Sequence, residues 1–318
     1  MNAVRRLAGD NSVAVLVGVF VGIFVLSDIV NRAQGNGAFL TPRQVSTTFL
    51  YAAILGLIAA GQTLVMLTGG IDLSVATTAT ASAFLVSRFG SHGDAVAIPV
   101  ALFVGVAIGM VNGIGVAIFR VNALIMTLGV STVTLGLLTI KAQEQFTALV
   151  PNLVVDLGSK RFLHYVPYDL LIWLPIAAAI VLGLRYTGIG RMIYAVGDNP
   201  LACRLAGVRV WQVQLFVYVA CGALTALAGV LVVGFNNAAD LGIGAPFLLP
   251  SVAAVVIGGT SIFGGLGGYS GTIVGALILT VLDSLLTILN ASQAVRQMLY
   301  GLIILALAAI YARAARRE

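Results

Sequence analysis

Apolar runs alternate with short polar breaks from one end of the chain to the other. Most of these runs approach the roughly 20 residues that carry a helix across about 30 Å of bilayer hydrocarbon. They fall near 12–30, 46–68, 71–90, 95–119, 122–144, 168–184, 212–234, 250–263, 270–289 and 295–312. The run at 250–263 is short for a span and rich in glycine, which predicts a broken or re-entrant helix. The pattern therefore predicts an all-α polytopic membrane protein with about ten transmembrane segments in a single domain over residues 1–318.

Composition excludes the soluble alternative. The 318 residues are 60% hydrophobic and 9% charged, with a mean hydropathy of +1.07. A soluble domain carries roughly 25% charged residues, so there is too little polar surface here to cover a particle in water. The 37 glycines fit closely packed membrane helices. Two cysteines, Cys203 and Cys221, form no CxxC and are read as structural. The net charge of +6 comes from arginines scattered between apolar runs, a topology signal and not a nucleic-acid one. MNAVRRLAGDNS at the start resembles a signal-peptide n-region, but no small-residue cleavage site closes the next run. An uncleaved first helix is expected.

Charge sets the orientation. With the N-terminus inside, the inner side collects Arg5, Arg6, Arg120, Arg185, Arg191, Arg204, Arg209, Arg313, Arg316 and Arg317. The outer side holds Arg32, Arg43, Arg88, Lys141, Lys160, Arg161 and Arg296. Both termini and the polar island RYTGIGRMIYAVGDNPLACRLAGVRVW (185–211) are thus predicted cytoplasmic. The island is long enough for a turn, a short helix and a return. It serves either as a topology signal alone or as a surface that touches something outside the membrane. The outer stretches 31–45 and 145–167 are polar, contain proline and are long enough for short surface helices. His92 and His164 sit in outer loops, and no His, Cys or carboxylate pair has metal-ligand spacing, so no metal site is assigned.

Two glycine-broken polar segments are candidates for a translocation path: MLTGGIDLSVATTATAS (66–82), with Gly69, Gly70 and Asp72, and VVIGGTSIFGGLGGYSGTIVG (255–275), with Gly258 and Gly259. Backbone that leaves the helix inside a bilayer must be buried in protein or line a watery cavity. Helix capping and close packing are the plainer reading of the same residues, Asp72 included. Neither segment is a phosphate loop: a Walker sequence ends in GK[ST], and the chain's two lysines, Lys141 and Lys160, lie far away. No nucleophile–base arrangement appears, so no catalytic residue is assigned. Asp283 reads as an acid near the middle of an apolar span without an obvious partner. It is either a proton relay or a hydrogen-bonded acid between helices. AIGMVNGIGVAIF (107–119) aligns with ILTVLDSLLTIL (278–289), setting Asn112 against Asp283 in helices of opposite direction, as an inverted repeat would.

Four motifs in order resemble the permease subunit of bacterial ABC importers for monosaccharides, of the ribose, xylose and galactoside type. They are FLTPRQVSTTFLYAAILGLIAAGQTLVMLTGGIDLSVA (39–76), VNALIMTLG (121–129), GRMIYAVGDNPLACRLAGVRV (190–210) and AAVVIGGTSIFGGLGGYSGTIVGAL (253–277). The resemblance implies a non-enzymatic subunit of the inner membrane that binds no cofactor, with ATP handled by two cytoplasmic ABC ATPase subunits. It implies a second permease subunit, identical or related, and a periplasmic sugar-binding protein. It makes the island a coupling segment whose contacts are Gly197, Asn199, Ala202, Arg204, Leu205 and Gly207. The family's members often carry a Glu and an Asp before the IGG segment. Here GAPFLLPSVAAVVIGG (244–259) has none, so substrate choice does not transfer from them. A proton-coupled secondary carrier using Asp72 or Asp283, and the same importer moving a polyol, autoinducer, nucleoside or amino acid, remain the alternatives.

Overall fold

The computed structural model describes residues 10–144, 148–162 and 165–315. Arg5, Arg6, His164, Arg316 and Arg317 lie outside the described residues. The chain is helical almost throughout: α1 (Asp10–Ala33), α2 (Pro42–Leu67), α3 (Val75–Phe89), α4 (Asp94–Ala117), α5 (Ala123–Ala142), α6 (Asn152–Ser159), α7 (Tyr168–Tyr186), α8 (Gly188–Asp198), α9 (Pro200–Leu205), α10 (Val210–Asn236), α11 (Leu248–Ile257), α12 (Tyr269–Ile288) and α13 (Gln293–Ala315). Seven of these, α1, α2, α4, α5, α7, α10 and α12, are long and apolar enough to cross a membrane. Together with α3, α11 and α13 they match the ten apolar runs. The one sheet among the described residues is a two-residue ribbon, β1 (Arg161–Phe162) against β2 (Val166–Pro167).

At the centre stands α2. Thr41 caps it by accepting from the Gln44 N–H at 3.3 Å, and Pro42 fills the first turn, where no amide partner is needed. This start replaces the surface helix expected in 31–45: α1 runs on to Ala33 and the capping pair begins α2 directly. Apolar and small residues surround α2 on all sides, and 94% of its apolar window is buried. A helix hydrophobic all round belongs inside a bundle. α10, α12, α11 and α7 pack around it.

α4 and α10 cross in close backbone contact. Gly105, Gly109 and Gly113 repeat every fourth residue and so line one face of α4. A Cβ on Gly105 would fall 2.4 Å from the Gly222 carbonyl oxygen, and one on Gly109 would fall 2.4 Å from that of Tyr218. With no side chains between them, the two backbones touch, and dispersion rather than hydrophobic burial holds the pair.

The expected run at 71–90 is helical only from Val75, because residues 69–74 turn sharply. α3 is therefore a part-span of about 22 Å at 1.5 Å per residue. The glycine-rich run near 250 is broken as expected: α11 ends at Ile257 and a non-helical loop carries the chain to α12. In the outer stretch 145–167, α6 does form, and it packs under α10 where a Cβ on Gly158 would meet the Phe235 nitrogen.

Candidate functional site

The island folds into two short helices. Asn199 caps α9 by accepting from the Leu201 and Ala202 N–H groups at 3.1 and 2.9 Å, and Pro200 follows at the first position. Gly207, at φ +82°, closes the other end: Val208 N–H reaches the Cys203 carbonyl at 2.9 Å and Gly207 N–H reaches that of Arg204 at 3.0 Å. This is a Schellman ending, and it needs a residue that accepts positive φ. Both termini of a six-residue helix are thus fixed by local sequence. Cys203 faces inward, while Leu201 and Leu205, four residues apart, are 64% and 83% exposed on the other side.

The six residues assigned to coupling divide into two groups. Asn199 and Gly207 define α9, and Ala202, Arg204 and Leu205 lie exposed along it. Gly197 sits elsewhere, in the last turn of α8, pressed into the membrane-spanning part. A Cβ there would come within 1.8 Å of the Leu67 carbonyl oxygen at the end of α2 and 2.6 Å of the Gly265 nitrogen. Gly265 N–H in turn donates to the Leu67 carbonyl at 3.0 Å, and Tyr194 Oη donates to the Gly267 carbonyl at 2.9 Å. A Cβ on Gly264 would meet the Gly69 nitrogen at 2.9 Å. The end of α2, the end of α8 and the loop before α12 therefore meet backbone to backbone. Gly258, from the same broken segment, packs on Gly271 and Thr272.

Asp72 belongs to a different cluster. One of its carboxylate oxygens accepts from Ser74 N–H at 2.8 Å and Ser74 Oγ at 2.6 Å, closing the turn into α3. Asn112 of α4, fully buried, donates to Ser74 Oγ at 2.8 Å. Leu73 N–H donates to Thr127 Oγ1 of α5 at 3.0 Å. The turn after Gly69 and Gly70 is thereby tied to two neighbouring helices.

Asp283 lies apart from both groups, at the opposite end of the bundle. The expectation of a lone acid in mid-span is overturned. Asp283 comes five residues before the end of α12 at Ile288, and its Oδ1 accepts from Arg296 Nη1 and Tyr300 Oη, each at 2.9 Å. It lines a cavity of about 1140 Å³ between α1, α2, α11, α12 and α13. The polar side of that cavity carries Asn31, Gln44, Thr47, Thr280 and Arg296. Pro246, Phe247 and Pro250 from the acid-free stretch 244–259 also line it, with Ile243 just before them. Sequence reasoning missed this lining apart from Asp283. The available signal was the density of amides and hydroxyls in 31–48, where two helix ends meet the surface.

A bundle of membrane-crossing helices, two of them broken, with a capped helix pair exposed at one end and a polar cavity at the other, defines the class: a multi-pass membrane transport protein. A family model described as "Branched-chain amino acid transport system / permease component" matches residues 44–308. The chain belongs to that family. It is 36% identical over 293 residues to the ribose import permease protein of Escherichia coli (strain K12), covering 90% of each chain. It is 32% identical over 271 residues to the L-arabinose ABC transporter permease protein of Azospirillum brasilense, covering 84% of this chain and 79% of that one. It is 32% identical over 287 residues to the autoinducer 2 import system permease protein of Yersinia enterocolitica, covering 90% of this chain and 78% of that one. No solved structure matches the chain.

Proposed function

We propose that this chain is the permease subunit of an ATP-driven importer that carries a sugar across the bacterial inner membrane by alternating access. Its termini and the coupling loop 185–211 face the cytoplasm. ATPase subunits dock on α9, a second permease subunit completes the membrane part, and a periplasmic sugar-binding protein delivers the solute at the opposite end. The observation that carries this reading is the form of α9. A helix capped at both ends holds Leu201 and Leu205 out into solvent. It is linked through α8 to the backbone contact with α2 and the loop before α12.

The outer cavity supports a neutral polyhydroxylated solute. Its one acid is already paired with Arg296, and the remaining polar groups are amides and hydroxyls suited to sugar hydroxyls. The Phe247 and proline wall suits the apolar face of a sugar ring. An amino acid would need unpaired charges of both signs here. A proton-coupled carrier has less support, since Asp72 and Asp283 both have fixed hydrogen-bond partners.

Leu205→Asp tests the coupling assignment. Because Leu205 is 83% exposed, the change leaves the fold intact. A tagged permease pulled down from native membranes should recover its ATPase subunit in the parent and lose it in the variant, with ATP-dependent uptake lost as well. Full uptake and full recovery by the variant would sink the assignment.

A further inference from the structure

A second cavity, of about 510 Å³, opens beside α9 at the same end of the bundle. Three arginines line it from separate stretches of chain: Arg120 from the α4–α5 turn, Arg204 from α9 and Arg209 just before α10. No acidic residue lines it. Among the described residues none of the three guanidinium groups has a hydrogen-bond or ion-pair partner. Each presents up to five N–H donors, a fork that matches the oxygens of a phosphate. Arg120 is set there by a turn that takes it to φ +56° and is closed by Val121 N–H on the Gly115 carbonyl at 3.0 Å.

Apart from Gln214, the rest of the lining is apolar: Ile118 and Trp211 from the ends of two spanning helices, with Val208 and Val210. Beside it lies an exposed apolar surface, where Phe119 is 73%, Ile118 51% and Trp211 44% exposed. Trp211 is the second residue of α10, at the depth where tryptophan marks the membrane–water interface. A soluble anion would use the arginines and leave the apolar side wet. A lipid uses both.

We propose that this cavity holds the phosphate headgroup of an anionic phospholipid, gripped by Arg120, Arg204 and Arg209, with its glycerol and upper acyl chains against Ile118 and Trp211. In the proposed orientation this is a lipid of the cytoplasmic leaflet, seated between the coupling helix and the α4–α5 turn. Basic pockets between spanning helices on that side are suited to such headgroups, and each basic residue contributes about 1 kcal/mol, roughly fivefold in relative affinity.

The chain has two tryptophans, and Trp173 is 2% exposed, so quenching from the lipid phase reports Trp211. The full-length permease alone is placed in phosphatidylcholine nanodiscs. Its fluorescence is titrated with acyl-brominated phosphatidylglycerol or, separately, acyl-brominated phosphatidylcholine. The anionic quencher should act at a mole fraction at least fivefold lower, by the same scale. R204Q should shrink that preference, and R120Q/R204Q/R209Q should abolish it. Arg191→Gln, exposed on α8 and outside the cavity, should leave it unchanged. Equal quenching by the two lipids in the parent overturns the proposal, as does an undiminished preference in the triple variant. An equal loss in Arg191→Gln would show general surface charge, not a site, and also overturns it. Relief of the anionic quenching by millimolar inorganic phosphate would make the cavity a site for the free ion, against the lipid reading. Absence of lipid preference in the parent, together with loss of ATPase recovery in the triple variant, would make the arginines a protein contact instead. Because the lipid measurement uses the permease without its ATPase, its failure and the failure of the coupling assignment are separate results.

Discussion

A methyl group on Gly197 would lie 1.8 Å from the Leu67 carbonyl oxygen, a backbone atom that cannot swing aside. Gly197→Ala should therefore force α8 away from α2 and cost about 3 kcal/mol, at the upper end of ordinary overpacking. Gly129→Ala on α5, where no atom lies within 4 Å of the new carbon, should change little. Thermal unfolding in detergent compares the two variants directly. Asn112→Ala leaves Ser74 Oγ without its donor inside the bundle, at a cost of about 1–3 kcal/mol. The same assay reads it, and a shift no larger than that of Gly129→Ala would remove Asn112 from the network. At this scale the sequence was informative about Asp72, because Gly-Gly-x-Asp-x-Ser spells a turn that the aspartate closes. It was silent on the partners of Asp283. Arg296 and Tyr300 reach that acid across the α12–α13 turn, and no periodicity within one helix encodes a contact with the next.

Helix existence was legible because each span must satisfy its own backbone in hydrocarbon, and that demand is written in hydropathy alone. Where a helix begins inside the membrane was not legible. The 71–90 run reads as one segment by hydropathy, yet α3 starts only at Val75, since hydropathy does not distinguish a buried turn from a helix. The pairing of α4 with α10 was equally hidden, although its GxxxGxxxG spacing is visible once the face is known. Gly109→Leu should split that pair and prevent recovery of folded protein. Phe103→Leu on the same helix, 72% exposed, should behave as the parent does in size-exclusion chromatography. At the other end of the bundle, Glu144 clips α3 to α5 through Lys141 at 2.6 Å and Arg88 at 2.5 Å. The hydrogen bonds from Lys141 and Arg88 hold the Glu144 carboxyl below its ordinary range. Its contribution is therefore complete above the usual carboxylate pKa and is lost as the pH falls through the lowered one. Glu144→Gln should remove that part of the acid sensitivity, read as a flatter unfolding midpoint as the pH falls below the ordinary glutamate value of about 4.3.

Across the molecule, the two part-length helices occupy matching places. α3 packs on α4 and α5 as α11 packs on α12 and α13, and α4 lies on α10 as α12 lies on α2. Asn112 stands five residues before the end of α4 at Ala117, as Asp283 does in α12, in segments running in opposite directions. This is the packing an inverted repeat produces, and it places the two polar residues toward opposite faces of the membrane. Asp283→Asn should consequently leave uptake insensitive to a protonophore and within about tenfold of the parent, a span of roughly 1.4 kcal/mol. Uptake that collapses with the proton gradient would reverse that assignment and restore the proton-coupled carrier. The joint at Gly197, Gly265 and Leu67 has a mechanical consequence of its own. A contact made through side chains can absorb displacement by switching rotamers, so part of any push is dissipated before it reaches the far element. Here main chain bears on main chain, with nothing in between to flex. A shift of α8 by a fraction of an ångström must appear undiminished in α2 and the loop before α12, so the linkage has no backlash in either direction of the stroke.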